Sequence, residues 1–239
     1  MSTLPAKIRN AALDVLFPRG ALCLCCSMPR GVDPDTALCP DCARKLDALR
    51  LRQECCPRCM APVERTGYCV FCAQGRMKGI DRAYGAYRYQ GEARQLIRLM
   101  KFSWQNEPAA ALALGMEDAL PMDGWDALVP VPLHARRQRV RGANQAMLLC
   151  ERIARDREMP VLEALQRITY TDAQSSLNRE KRLRNIKNAF RLAEGAEVRG
   201  KALLIVDDVR TTGATARECA RVLRRGGAKK VGLLTAAIA

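Results

Sequence analysis

One stretch, residues 202–227 (ALLIVDDVRTTGATARECARVLRRGG), restricts this chain more than any other. Ala202 to Val206 is a short apolar run rich in branched residues, the length of a strand buried on both faces. Asp207 and Asp208 follow at its C-terminal end. A small, hydroxyl-rich turn comes next, Thr211-Thr212-Gly213-Ala214-Thr215. Beyond it, Ala216, Cys219, Ala220, Val222 and Leu223 recur at helical spacing, and Gly226-Gly227 marks the helix stop.

Strand, turn and helix start together make a place for a phosphate. Free N–H groups of the first helical turn, the helix dipole and the threonine hydroxyls all converge on one anion. Gly213 allows close backbone approach. The aspartates then fall where the vicinal hydroxyls of a sugar lie when its 5′-phosphate sits in the turn, and carboxylates suit hydroxyl donors or hydrated Mg²⁺. The plainer reading, an ordinary strand–turn–helix, leaves two adjacent carboxylates repelling each other without a cation. The stretch has no closing Gly-Lys-Ser/Thr and no GxGxxG, so it is neither a Walker loop nor a dinucleotide fingerprint. It resembles the phosphoribosyl-pyrophosphate (PRPP) signature of type I phosphoribosyltransferases.

The chain has 40 basic and 25 acidic residues, a formal charge of +15. With eight thiolates on two Zn²⁺ it remains at roughly +11. Polyanions and phosphorylated ligands are natural partners for such a surface; a merely arginine-rich surface is the other reading. No run of eighteen apolar residues occurs, so no membrane span or insertion is expected. Residues 1–20 lack a continuous apolar signal core and read as a short amphipathic docking helix, with Leu4, Ile8, Ala12, Val15 and Leu16 on one face. A cytoplasmic, reducing location follows, and disulfides are not expected there.

Ten of the twelve cysteines fall within residues 23–72, as four C-x-x-C pairs: Cys23/Cys26, Cys39/Cys42, Cys56/Cys59 and Cys69/Cys72. Each pair offers two thiolates to a tetrahedral Zn²⁺, and two pairs complete a site. Sequential pairing needs only short hairpins; an interleaved cross-brace is the alternative. Cys25 and Cys55 are spare and could replace a neighbour as ligand. Such zinc is structural, since four thiolates leave no open position.

Further along, residues 82–89 read as a β-hairpin arm, 92–102 and roughly 107–119 as helices, and 127–132 as a strand entering a loop. That loop carries Arg136, Arg137, Arg139 and Arg141, and clustered arginines at a strand end suit a pyrophosphate. A solvated basic loop is the plainer alternative. The single histidine, His134, reads as structural more readily than catalytic. Residues 143–157 read as a helix, and 167–191 as a mobile basic segment, a lid or nucleic-acid contact, ending in a strand near Ala189-Phe190. Val231 to Ile238 is a last buried strand.

In this order the pieces resemble the ComF family of competence-associated proteins across almost the whole chain. The marks are the four cysteine pairs, Lys101-Phe102-Ser103, Val129-Pro130-Val131-Pro132-Leu133, Arg137 with Arg141-Gly142, and Asn144-Gln145. Thr171, Gln174, Leu177, Arg182, Asn185 and Phe190 follow, then Val206-Asp207-Asp208 through Thr215. The chain departs at Ala143, where the family usually has phenylalanine, and Arg210 stands at a variably filled position.

The resemblance implies an α/β, type I phosphoribosyltransferase-like parallel sheet flanked by helices (residues 79–239) behind a double zinc ribbon (21–78). It implies a PRPP pocket, with Mg²⁺, on Asp207, Asp208, Thr211, Thr212, Gly213, Ala214, Thr215, Arg137 and Arg141. It also implies a role in handling single-stranded DNA during natural transformation, alongside competence-machinery proteins. The alternative is an active glycosyltransferase that moves ribose 5-phosphate from PRPP to an unknown acceptor. Aromatic content of 5% argues against an extended base-stacking platform.

Overall fold

A computed structural model describes residues 22–52, 55–65, 67–75, 77–102, 107–121, 124–169 and 186–239. The expected N-terminal helix (1–20) and most of the expected lid (170–185) lie outside the described residues. The cysteine-rich part carries α1 (Pro40–Asp47) and α2 (Val70–Ala73). The remainder runs β1 (Arg82–Arg88), α3 (Gly91–Phe102), α4 (Glu107–Ala119), β2 (Ala127–Pro130), α5 (Ala135–Arg141), α6 (Gln145–Arg157), β3 (Leu165–Arg167), β4 (Phe190–Leu192), β5 (Ala202–Arg210), α7 (Ala214–Arg225) and β6 (Lys230–Ile238).

Strands β1, β6, β5 and β2 form one parallel sheet in that order, and β3 pairs antiparallel with β4 as a separate ribbon. Alternation along β5 assigns its side chains to two cores. Leu204 and Val206 join Leu128, Leu234 and Ala236 beneath α3, α4 and α6. Leu203 and Ile205 join Val129, Val231 and Leu233 on the opposite face, with α7. All four β5 residues are fully buried, each contributing about 1.5–3 kcal/mol of transfer free energy. The expected α/β architecture with helices on both faces is therefore present.

Two local readings need correction. Residues 82–89 do not form a hairpin: β1 is one parallel strand against β6, with five consecutive buried positions. Its outer edge is met by the segment between the cysteine pairs. Leu51 N–H donates to the Ala86 carbonyl and Arg88 N–H to that of Leu49, each at 2.9 Å. The cysteine-rich part thus covers an edge otherwise open to pairing. The second correction concerns 133–142, which contains helix α5 rather than an irregular loop.

Gly115, inside α4, shows why a poor helix former stands there. A Cβ at this position would lie 2.3 Å from the Tyr87 ring, which is 1% exposed. Ala would gain about 1 kcal/mol in helix propensity, but overpacking a closed core costs about 1–3 kcal/mol. Gly115→Ala is expected to lower the urea midpoint with an unchanged m-value; an unchanged or raised midpoint would show that the ring yields freely.

Candidate functional site

Strand β5 runs four residues beyond Val206, through both aspartates to Arg210. It can do so because β6 continues beside it, pairing Asp207 with Thr235, Val209 with Ala237 and Arg210 with Ile238. The expectation that the acidic pair follows the strand is corrected in that respect. On the other side β2 has already ended: Val131 N–H donates to the Val206 carbonyl at 3.0 Å, and no further β2–β5 pairing follows. The carboxylates therefore appear where the neighbouring strand leaves the sheet.

They are not free. Asp208 Oδ2 lies 2.5 Å from Lys101 Nζ, and both side chains are largely buried. Asp207 Oδ1 accepts the Asp208 N–H at 2.9 Å, and Asp208 Oδ1 accepts the Val209 N–H at 2.6 Å. Burial first, and then the charge of Asp208, push the Asp207 carboxyl up to about 8; the Asp208 N–H and Lys101 oppose this only in part. Lys101 thus faces Asp208, while burial beside that carboxylate favours the protonated form of Asp207.

Lys101 stands in the last turn of α3, and that end is pinned. Gln145, 3% exposed, donates through Nε2 to the Met100 carbonyl at 3.0 Å and to Ala143 at 3.1 Å. Its neighbour Asn144 caps α6, accepting the Ala146 N–H at 3.1 Å and donating to the Val131 carbonyl at 3.1 Å. The Asn-Gln pair therefore locks the exit of β2, the start of α6 and the end of α3 together.

The threonine turn follows directly. Gly213 takes a left-handed conformation (φ 70°) at the N-cap of α7, a geometry glycine adopts without penalty. Ala214 N–H reaches Thr212 Oγ1 at 3.4 Å, and Gly213 supplies no side-chain cap. Thr211 is exposed, Thr212 and Thr215 are half-buried, and Ala214 is buried. First-turn N–H groups have no intrahelical acceptor, so an anion here meets donors and a positive dipole end.

The basic segment contributes less uniformly. His134 caps α5, its Nδ1 accepting the Arg136 N–H at 3.2 Å, which fits the structural reading of that histidine. Arg136 and Arg139 are exposed and Arg137 is half-buried; the Arg141 side chain lies outside what is described. Arg167, at the end of β3, feels both Arg137 and Asp207. Burial first, then Arg137, lower its pKa, while Asp207 raises it. Arg167 therefore stands within electrostatic reach of both Arg137 and Asp207.

The cysteines assemble as two sets, Cys23/Cys26/Cys39/Cys42 and Cys56/Cys59/Cys69/Cys72, with all sulfurs of a set within 4.8 Å of one another. Pairing is sequential, and Cys25 and Cys55 belong to neither set. Cys26 and Cys39 Sγ are 3.6 Å apart, Cys59 and Cys69 Sγ 3.5 Å. A tetrahedral Zn²⁺ with bonds of about 2.3 Å spaces its sulfurs by about 3.8 Å, whereas a disulfide needs about 2.05 Å. Burial raises the Cys56 thiol, but N–H groups of Cys69, Arg58 and Cys59 outweigh it and bring it down to about 7. Burial and neighbouring thiols push Cys42 and Cys72 up instead. Four thiols without a cation cannot all ionise, and a dication removes that conflict; the donor sets fit structural zinc.

Sequence reasoning missed Lys101, Arg167 and Arg210 as site residues. Lys101 was legible only as part of a family mark. Arg167 sits at the edge of the segment read as mobile. Arg210 stands two residues after the acidic pair in a strand, an unusual place for a charge, and that was the available signal.

A double zinc ribbon domain model matches residues 12–73, and a phosphoribosyl transferase domain model matches residues 149–237. The chain is 36% identical to the DNA utilization protein YhgH of Salmonella typhimurium over 88% of its own length and 93% of that protein's. It is 35% identical to competence protein F of Haemophilus influenzae over 56% of this chain and 64% of that one. It is 27% identical to competence protein ComFC of Bacillus subtilis over 84% of each.

The raised Asp207 pKa has a signed consequence. Unfolded aspartate ionises near pH ~3.9, while folded Asp207 holds its proton to about 8. Folding takes up a proton across that window, so this group's contribution falls as pH rises through it and levels off above. Asp207→Asn lacks the dependence. Urea midpoints of variant and wild type are expected to draw apart between pH 6 and about 8, in favour of the variant. Parallel curves would place the Asp207 pKa in the ordinary range.

Proposed function

The chain belongs to the ComF family, in which a double zinc ribbon is joined to a phosphoribosyltransferase domain, and on that premise we propose that it binds PRPP or a related sugar phosphate while assisting single-stranded DNA handling in DNA uptake. The 5′-phosphate takes the turn of Thr211, Thr212, Gly213, Ala214 and Thr215. The ribose hydroxyls meet Asp207 and Asp208. Pyrophosphate falls to Arg137 and Arg141, with Arg167 as an added cation. The observation that carries this reading is the continuity of acidic pair, left-handed glycine and a helix start without an N-cap side chain on one strand–turn–helix unit. Residues 21–78 act as the zinc-bearing part and 79–239 as the sugar-phosphate part.

Mg²⁺ bound with PRPP would be held by its own waters, the pyrophosphate and the carboxylates, and would supply charge neutralisation of the leaving group. Two carboxylates are a fitting donor set, but Lys101 already engages Asp208. Ligand entry therefore requires Lys101 to share that carboxylate or to withdraw.

The names of the relatives, DNA utilization and competence proteins, support the DNA side of the proposal. The +15 charge supports it independently. No helix among the described residues is long and apolar enough to cross a membrane, and the protein works in this reading on the cytoplasmic side. Catalysis is the second reading, favoured by Arg167, which feels the charge of Asp207 on one hand and of Arg137 on the other. Cations beside a leaving pyrophosphate, and carboxylates beside an oxocarbenium-like ribose, would both lower the barrier electrostatically.

Two measurements test the proposal. In calorimetry with PRPP and Mg²⁺, an Asp207→Asn/Asp208→Asn double variant is expected to lose at least about tenfold in affinity, the equivalent of 1.4 kcal/mol. Wild-type affinity in that variant would falsify the site. Gel shifts with single-stranded DNA are expected to weaken steeply between 50 and 200 mM salt, in the manner of phosphate-contact binding; no shift at the lower salt counts against the DNA role.

A further inference from the structure

Arg210 ends β5 one residue before the threonine turn and is 6% exposed. Its Nη2 donates to the backbone carbonyl of Cys59 at 2.6 Å, across 151 residues of chain. Its Nε finds no acceptor among the described residues. No described ion pair includes it. A guanidinium buried without a carboxylate is a costly arrangement that calls for an anion.

The same stem lies under the turn. A Cβ built on Gly213 would sit 4.0 Å from Arg210 Cδ and 3.6 Å from Met77 Sδ. The neighbouring knuckle residue is also tied to the sheet: Ala83 N–H donates to the Arg58 carbonyl at 3.0 Å, and Arg58 Nη2 reaches the Ile80 carbonyl at 3.4 Å. The Cys56–Cys59 knuckle therefore anchors on both β1 and the end of β5. The first cysteine set has a different attachment: Gln95 Nε2 donates to the Leu24 and Cys25 carbonyls, on α3 and the opposite face of the sheet.

We propose that Arg210 is a positioning residue that couples zinc in the second cysteine set to the phosphate affinity of the Thr211–Thr215 turn. Zinc fixes the Cys56–Cys59 knuckle and with it the Cys59 carbonyl. That carbonyl holds the guanidinium, and the stem of the same side chain packs beside Gly213 of the turn. With four thiolates on Zn²⁺ the second set carries a net charge of about −2, so the metal-bearing knuckle is also the anion beside which Arg210 is held. Coupling of this kind is reciprocal, so phosphate also retains zinc in the second set. The first set, attached elsewhere, is indifferent. The inference rests on the sugar-phosphate reading above and adds to it a specific link to one of the two metal sites.

The test follows zinc release to a colorimetric chelator from the full chain, with ribose 5-phosphate as probe and its binding measured in parallel by calorimetry. Wild type is expected to release two zinc ions per chain in two phases, and saturating ribose 5-phosphate to slow one phase by about fivefold, the lower range of coupling in affinity with that gain carried by the dissociation rate. Arg210→Met, which keeps length but not the hydrogen bond, is expected to retain two zinc ions, bind ribose 5-phosphate about fivefold more weakly by the same reciprocity, and show no slowing. Wild type that binds the probe yet slows both phases equally, or neither, overturns the coupling without any variant and leaves the sugar-phosphate reading standing. So does an Arg210→Met protein that binds and slows release as wild type does. Absence of binding to wild type overturns both.

Discussion

Two adjacent carboxylates inside a parallel sheet set the terms for everything around them. Like charges at that distance cannot both ionise in a largely buried place without a cation. The chain answers with Lys101 on Asp208 and an Asp207 carboxyl that burial and its neighbour push up to about 8. Lys101 is in reach because Gln145 grips the end of its helix, and Gln145 is placed by the Asn144 cap. One electrostatic requirement thus accounts for a lysine in α3, and the Asn144-Gln145 pair ties that lysine's helix to the exit of β2. In the proposed reading a hydrated dication takes over the charge that Lys101 supplies to Asp208, and sugar hydroxyls donate to the pair.

The cysteine sets are not a separate bead on the chain. Cys23, Cys39 and Cys42 belong to the core beneath α3 and α4, and Cys56, Cys59, Cys69 and Cys72 to the core beneath α7. The segment joining them passes along the outer edge of β1. The sheet is gripped from both faces around one edge. A short cysteine-rich module has little apolar core of its own; here it borrows two. Arg210 extends that arrangement to the Thr211–Thr215 turn, since the carbonyl it uses comes from a cysteine of the second set.

Much of this was legible in the sequence, and the reasons are physical. Helices at 92–102 and 107–119, and strands at 202–206 and 231–238, follow from periodicity that tertiary packing has no cause to override. Sequential pairing of the cysteines follows from short spacings and is what the sulfur positions show. The errors came where a local pattern meets a distant partner. β1 looks like a hairpin arm because Tyr84, Tyr87 and Tyr89 mimic an exposed ladder, and only β6, some 150 residues away, makes it a buried parallel strand. β5 overruns its apolar stretch because β6 continues beside it. The arginine-rich loop is helical because His134 and Gly142 cap a run that charge alone makes look irregular. Lys101 and Arg210 could not be assigned roles, because their partners are far away in sequence and only the fold brings them near.

The most direct test of the account is a crystal structure of the full chain with PRPP and Mg²⁺. The account predicts phosphate oxygens about 3 Å from the N–H groups of the Thr211–Thr215 turn, with ribose hydroxyls at the same distance from Asp207 and Asp208. Lys101 would be displaced from Asp208 or would share it. A ligand seated elsewhere, with the turn empty and Lys101 still closed on Asp208 as in the free protein, would contradict it.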